Sequence, residues 1–338
     1  MKLSVAICTW NRADMLAEML EHLTLCNKPV SAEWEVVVVN NNCTDHTDAV
    51  IKSFVGRLPI VRVWQPIPGK SNALNAAMQA VTGDYILWTD DDVLVDENWI
   101  RTYEAAIRSN PDAVFFGGPI RPHYDIDPPQ WLRESIDLFA SAYALRELGD
   151  HPIDLDKSTL PFGANWAVRV REQRNVAYDP RLGRQPAEIT LCGEETQVME
   201  QLLAEGARGV WVPDAFVNHR VPALRQTVTY LKKYYRGLGM TDRVLDQSDP
   251  VSQLFGRPRW MLKAVVVDAI RYFSVRCMGD IRQWGPAFIL LNTRIGYLSK
   301  GKGRKDKLSE PRLDAATTTQ SKTGSSIAWF GAGGRHES

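Results

Sequence analysis

The chain has 338 residues, 44% of them apolar and 24% charged, and its 40 Lys/Arg balance 40 Asp/Glu. That composition excludes a largely disordered chain, and the length allows one large domain or two ordinary ones. No uninterrupted apolar run approaches the roughly 18–20 residues that span a bilayer, and the start, MKLSVAICTWNR, is too short and polar for a secretory signal. The expectation is therefore a protein that stays in the cytosol or on the inner face of a membrane. Five scattered cysteines with no CxxC pair suggest neither a disulfide framework nor a thiolate zinc site.

Along the first ninety residues, strand-like and helix-like patterns alternate as in βαβ units. Residues 3–8 are a short apolar run ending in Thr9-Trp10-Asn11-Arg12, and residues 14–25 place Met15, Leu16, Met19, Leu20 and Leu23 at helical spacing. Residues 34–39, WEVVVV, read as a parallel strand covered on both faces, ending in Asn40-Asn41-Asn42-Cys43-Thr44-Asp45. A helix over 47–54, a strand over 60–64, an alanine-rich helix over 71–81 and a strand over 84–88 follow, the last running into Asp90-Asp91-Asp92. Four strands thus deliver polar residues at their carboxyl ends, the edge where open parallel sheets bind ligands. Further on, 194–206 reads as a helix, 209–213 as a strand that ends near His219, and 227–238 as a basic helix. Leu262, Val266, Ile270, Phe273 and Cys277 fall on one stripe of another helix, and a disordered tail is expected over 301–338.

Three carboxylates at the mouth of a buried strand repel one another unless something positive sits between them. A hard divalent cation, Mg²⁺ or Mn²⁺, shared with the oxygens of a diphosphate meets that need. On an extended backbone Asp90 and Asp92 lie on one side and Asp91 points away.

The stretches GKSNALN (69–75), GDYILWTDDD (83–92), FGAN (162–165) with Arg169, GEE (193–195) and VPDA (212–215) with His219 and Arg220 share one further property. They occur in the order and spacing of the family 2 glycosyltransferases, which the chain resembles over roughly residues 2–240. The resemblance implies a GT-A fold, an α/β architecture with a mostly parallel sheet flanked by helices, and an inverting enzyme that uses a nucleotide sugar. By position, Thr9, Asn11 and Arg12 match the first nucleotide-contacting turn, and Asp45 matches the last acid of the second. Asn41 stands where the family commonly has an acid that reads the base; an amide both donates and accepts where a carboxylate only accepts, which loosens the link to uridine. Lys70 resembles the family's basic residue near the nucleotide, Asp90 with Asp91 would hold the nucleotide, and Asp92 with His219 the Mn²⁺ or Mg²⁺. Of the acidic pair, Glu195 takes the place of the catalytic base and Glu194 is its neighbour. Asn165 and Trp166 fall in the acceptor half, and Arg236 could reach the diphosphate from the C-terminal side.

The domain expectation is a catalytic region over 1–225, divided at 110 into nucleotide and acceptor halves, then a basic helical extension over 226–300. Residues 257–307 carry twelve Lys/Arg against three Asp/Glu, interleaved with Trp260, Tyr272, Trp284 and Tyr297. That pattern suits a helix at an anionic lipid surface. It also suits packing on the catalytic domain or on a second subunit, and the sequence leaves the three open. No nucleic-acid module is present in the sequence. The reading is a metal-dependent inverting transfer from a nucleoside-diphosphate sugar, with a UDP-sugar expected, to a saccharide or lipid-linked saccharide hydroxyl. Its rivals are a retaining transferase, a sugar nucleotidyltransferase and a non-catalytic sugar- or lipid-binding protein.

Overall fold

The computed structural model describes residues 1–185, 191–246, 252–254, 257–277 and 279–299; the expected tail over 301–338 lies outside the described residues. β1 (Lys2–Thr9), α1 (Ala13–Leu25), β2 (Glu33–Asn40), α2 (Thr47–Ser53), β3 (Ile60–Trp64), α3 (Lys70–Ala80) and β4 (Tyr85–Asp90) alternate as the sequence pattern requires. β2 shows why. Val36 to Val39 are all fully buried, Val36 and Val38 on the face that carries Leu16, Met19 and Leu20 of α1, Val37 and Val39 on the face that carries Ala73, Leu74 and Ala77 of α3. A run of valines is what a strand covered on both sides needs.

The chain continues through β5 (Val93–Val95), α4 (Trp99–Ser109), β6 (Phe115–Gly117), β7 (Ile120–Tyr124), α5 (Gln130–Arg133), β8 (Asp154–Leu155), β9 (Asn165–Arg169) and α6 (Val170–Gln173). It then forms α7 (Glu194–Ala204), β10 (Gly209–Trp211), β11 (Val217–Val221) and α8 (Val228–Leu245). Eight strands make one sheet in the order β3-β2-β1-β4-β9-β6-β10-β8, and β5-β11-β7 make a second. β1 to β4 run parallel, while β9 is antiparallel to both β4 and β6. Because β2 and β3 lie on one side of β1 and β4 on the other, the order reverses between β1 and β4, and their carboxyl ends flank a crevice. In register, Thr9 sits beside Asn40 and Cys8 beside Asp90.

Two sequence expectations change. β4 runs two residues further than 84–88, because Thr89 and Asp90 still find partners in Ile7 and Cys8. Residues 209–221 are two strands in different sheets: β10 pairs with β6, whereas β11, which carries His219, pairs with β5 and β7.

The C-terminal part adds β12 (Gln253–Leu254), β13 (Arg257–Pro258), α9 (Arg259–Arg276) and α10 (Ile281–Leu298), and residues 1–299 form one compact unit. α8 and α10 touch backbone to backbone: a Cβ at Gly239 would lie 1.7 Å from the Thr293 carbonyl oxygen, and one at Gly296 2.0 Å from that of Arg236. Ile281, Trp284 and Phe288 of α10 join the core cluster that holds Phe139 and Tyr235. α8 is longer than the expected 227–238 because α10 covers its second half.

Candidate functional site

The turns after β1 and β2 are laced together. Asn11 adopts a left-handed φ of 51° and accepts the Thr44 N–H at 2.7 Å through its side-chain carbonyl. Asp45 accepts the Ala13 N–H at 3.0 Å and the Thr47 N–H at 3.2 Å, so one carboxylate serves the starts of α1 and α2. Asn41, buried, donates to the Gly69 carbonyl at 3.0 Å and accepts the Gly69 N–H at 3.1 Å. The amide expected to read a base is thus engaged in holding the Gly69 turn, where φ is +133°.

The acidic turn is arranged differently from an extended D-x-D. Since β4 ends at Asp90, Asp91 turns inward rather than away: it accepts Thr9 Oγ1 at 2.7 Å and Arg12 Nη1 at 2.8 Å. The same Arg12 nitrogen reaches Asp92 Oδ2 at 3.0 Å, Arg225 Nη2 reaches that oxygen at 3.0 Å, and His219 Nε2 lies 3.4 Å from Asp92 Oδ1. Asp91 and Asp92 are both buried. Burial raises the Asp91 pKa despite Arg12, and the neighbouring charge of Asp92 adds to the rise. For Asp92 burial acts in the same direction, but His219, Arg12 and Arg225 together hold its carboxyl well below the usual range. Arg225, from the short turn after β11, went unnoticed in the sequence because no motif marks it. Arg220, the basic residue singled out there, alternates to the other side of β11 and pairs with Glu18 at 2.7 Å.

Asp90 belongs to a second cluster. Lys70, the first residue of α3, places Nζ 2.6 Å from Glu195 Oε1, 3.3 Å from Asp90 Oδ1 and 3.6 Å from Glu194 Oε1. Burial would discharge such a lysine, but Asp90, Glu195 and Glu194 hold its pKa well above the ordinary value. Gly193, at φ +93°, starts α7 and sends the two glutamates into this space. Glu194 is buried with Oε2 unpartnered, and burial together with the charge of Glu195 pushes its pKa up to about 8. Gly163 provides the room for Glu195: a Cβ there would lie 2.3 Å from Glu195 Oε1. The glycine of FGAN thus leaves space for a carboxylate.

Three expected site residues lie elsewhere. Asn165 has no exposed surface; its Oδ1 accepts Trp99 Nε1 at 2.8 Å and Tyr103 OH at 2.9 Å, and its Nδ2 donates to the Pro119 and Ala215 carbonyls. All four of its hydrogen-bonding positions are filled internally. Trp166 is wholly buried in the core with Trp88 and Trp211. Neither can touch an acceptor. Arg236, half-buried, donates through Nε to Asn292 Oδ1 of α10 at 3.3 Å, which ties it to the packing of α8 on α10.

Among the described residues no group of three or more His, Cys, Asp or Glu is gathered as a metal cage. Asp92 and His219 offer one oxygen and one imidazole, and His219 Nδ1 is buried without a partner. Such a pair fits a cation whose remaining positions are filled by substrate phosphate oxygens and water.

Residues 4–170 match the family model described as Glycosyl transferase family 2. The chain belongs to glycosyl transferase family 2. Among its relatives, the succinoglycan biosynthesis protein ExoM of Rhizobium meliloti is 28% identical over 241 residues, covering 68% of this chain and 71% of that protein. The glucosyl-dolichyl phosphate glucuronosyltransferase of Haloferax volcanii is 25% identical over 252 residues, 73% of this chain and 78% of that one. In solved structures, the mannosyltransferase PcManGT of Pyrobaculum calidifontis, in complex with GDP-Man and Mn²⁺, superposes with a TM-score of 0.58 at 17% identity over 88% of this chain and 86% of that one. This family 2 glycosyltransferase therefore has a GT-A fold, with its two charged clusters at the carboxyl edge of the sheet.

Proposed function

We propose that this glycosyltransferase moves a sugar, with inversion, from a nucleoside diphosphate sugar (a UDP-sugar in this reading) to a hydroxyl of a saccharide or lipid-linked saccharide. The observation that carries the reading is the meeting of Glu195, from the start of α7, with Asp90, from the end of β4, at the single ammonium of Lys70. One carboxylate comes from the end of β4, the other from the start of α7; in this reading the donor lies against the first and the acceptor hydroxyl against the second. In-line displacement needs groups on both sides of the sugar.

Glu195 takes the proton of the acceptor hydroxyl as its oxygen attacks the anomeric carbon and the bond to the diphosphate breaks. Without donor, Lys70 neutralises Glu195; an incoming diphosphate offers the ammonium another anion and releases the base. Burial and the charge of Glu195 favour the neutral form of Glu194, which limits the negative charge beside the base. Asp92 and His219 would hold Mn²⁺ or Mg²⁺, which supplies positive charge for the departing diphosphate. Thr9 and Arg12 act through Asp91 and Asp92, fixing the acidic turn, and Asn11, Asn41 and Asp45 shape the loops around the nucleotide.

The names of the two relatives, a succinoglycan biosynthesis protein and a glucosyl-dolichyl phosphate glucuronosyltransferase, support polysaccharide or glycoconjugate synthesis and an acceptor carried on a lipid; its placement at the inner face of the cytoplasmic membrane is our own. The test is release of nucleoside diphosphate from a panel of nucleotide sugars with Mn²⁺ and saccharide acceptors, with the product anomer read by NMR. Retention of the donor's anomeric configuration, or full activity in Glu195→Gln, would refute the reading.

A further inference from the structure

α9 buries the side opposite to the one its sequence stripe suggests. Met261 and Asp268 face inward, with Asp268 bonded to Arg294 of α10 at 2.6 Å. The other face carries Trp260, Val266, Val267, Ile270 and Phe273, each between 55% and 66% exposed. From Trp260 to Phe273 this face runs for about 20 Å along the helix. A helix that is apolar on two opposite sides is suited to lie between two apolar media, not between protein and water.

Arg259, Lys263 and Arg271 are interleaved on the same outward face, and among the described residues none of them makes an ion pair. The one acid of α9 is the inward Asp268. At the start of the helix, Leu254, Arg259, Trp260, Leu262, Lys263 and Val266 line a cavity of about 440 Å³, mostly apolar with two cations at its rim. Such a face attracts negative charge and apolar chains together. An isologous contact with a second copy would set these cations against their own images, whereas an anionic lipid surface satisfies both features. No described helix is long and apolar enough to cross a membrane, so α9 would lie in the interface plane.

We propose that the outward face of α9 docks the enzyme onto an anionic lipid bilayer, with Trp260, Val266, Ile270 and Phe273 entering the acyl boundary and Arg259, Lys263 and Arg271 at the phosphates. The proposal extends the lipid-linked acceptor reading by naming where the enzyme sits. Binding is measured without donor or acceptor, so it stands or falls apart from catalysis.

The test is co-sedimentation of the full chain with vesicles of phosphatidylcholine alone and of equimolar phosphatidylcholine and phosphatidylglycerol. Binding is expected only to the anionic vesicles, and weaker at high salt. Since each basic side chain near such a surface contributes about fivefold, Arg259→Gln/Lys263→Gln/Arg271→Gln together should lose on the order of a hundredfold. Ile270→Glu/Phe273→Glu should also release the protein, with nucleotide-sugar turnover on a soluble acceptor unchanged in both variants. Three results would overturn the proposal: no binding by the parent chain, equal binding by both variants because residues beyond 299 or another surface carry it, or a concentration-dependent dimer in ultracentrifugation that Ile270→Glu/Phe273→Glu dissolves.

Discussion

Lys70 Nζ lies 2.6 Å from Glu195 Oε1, so the ammonium at the start of α3 and the carboxylate at the start of α7 form a half-buried ion pair at the carboxyl edge of the sheet. Breaking one side of such a pair leaves the other charge uncompensated. The pair links donor binding to the availability of the base.

Replacing Glu195 with Gln keeps the shape but removes the proton acceptor. Turnover should fall by roughly 10²–10⁴ with no rise in the donor KM, because general-base catalysis is lost while Lys70 no longer has to leave Glu195 to meet the diphosphate. Steady-state kinetics decide it, and an equal loss in Glu194→Gln would move the base to that residue.

Glu194 makes stability depend on pH. Its pKa rises from the ordinary 4.5 to about 8 on folding, so between those values the folded chain holds a proton that the unfolded chain has lost. The contribution of this group is therefore favourable at low pH, declines as pH rises through that window at up to about 1.4 kcal/mol per unit, and is flat above it. Urea unfolding of the parent and of Glu194→Gln across this range should show the decline shallower in the variant; parallel curves would count against it.

Gly163→Ala should impair catalysis more than folding. The added methyl meets the Glu195 carboxylate, and displacing a reacting group by about 1 Å costs on the order of 10² in rate. The expected signature is a large drop in kcat with a small change in Tm.

Asp92→Asn removes the charge that Arg12, Arg225 and His219 share. In the parent, Mn²⁺ with a nucleoside diphosphate should raise Tm beyond the effect of either alone, since a ligand that binds only the folded state stabilises it. In the variant that extra rise should vanish. Its persistence would remove Asp92 from the metal site.

Asn165→Ala should act on stability. It strands the Trp99 and Tyr103 donors and two backbone carbonyls in the core, and each unsatisfied buried group costs about 1–3 kcal/mol. Denaturant unfolding should show a loss above ~3 kcal/mol, while the acceptor KM of the remaining folded enzyme stays near that of the parent.

What the sequence alone determined was local and periodic. The valines of β2 announced a doubly covered strand, the spacing of Leu16, Met19, Leu20 and Leu23 a helix, and the four polar strand ends a ligand edge, because side-chain period and backbone preference are written within a few residues. Motif order pointed to Lys70, Asp90, Asp92, Glu195 and His219, which the fold divides between two charged clusters at the carboxyl edge of the sheet. Tertiary structure alone decided which of these residues face one another. Asp91 turns inward because Arg12, 79 positions away, meets it there; Arg225 reaches Asp92 across 133 positions; Asn165 is used up by Trp99 and Tyr103; and the stripe of α9 faces outward because Asp268 finds Arg294 on the inner side. Ion pairs and filled hydrogen bonds depend on distances between elements, which no periodicity within a single element encodes.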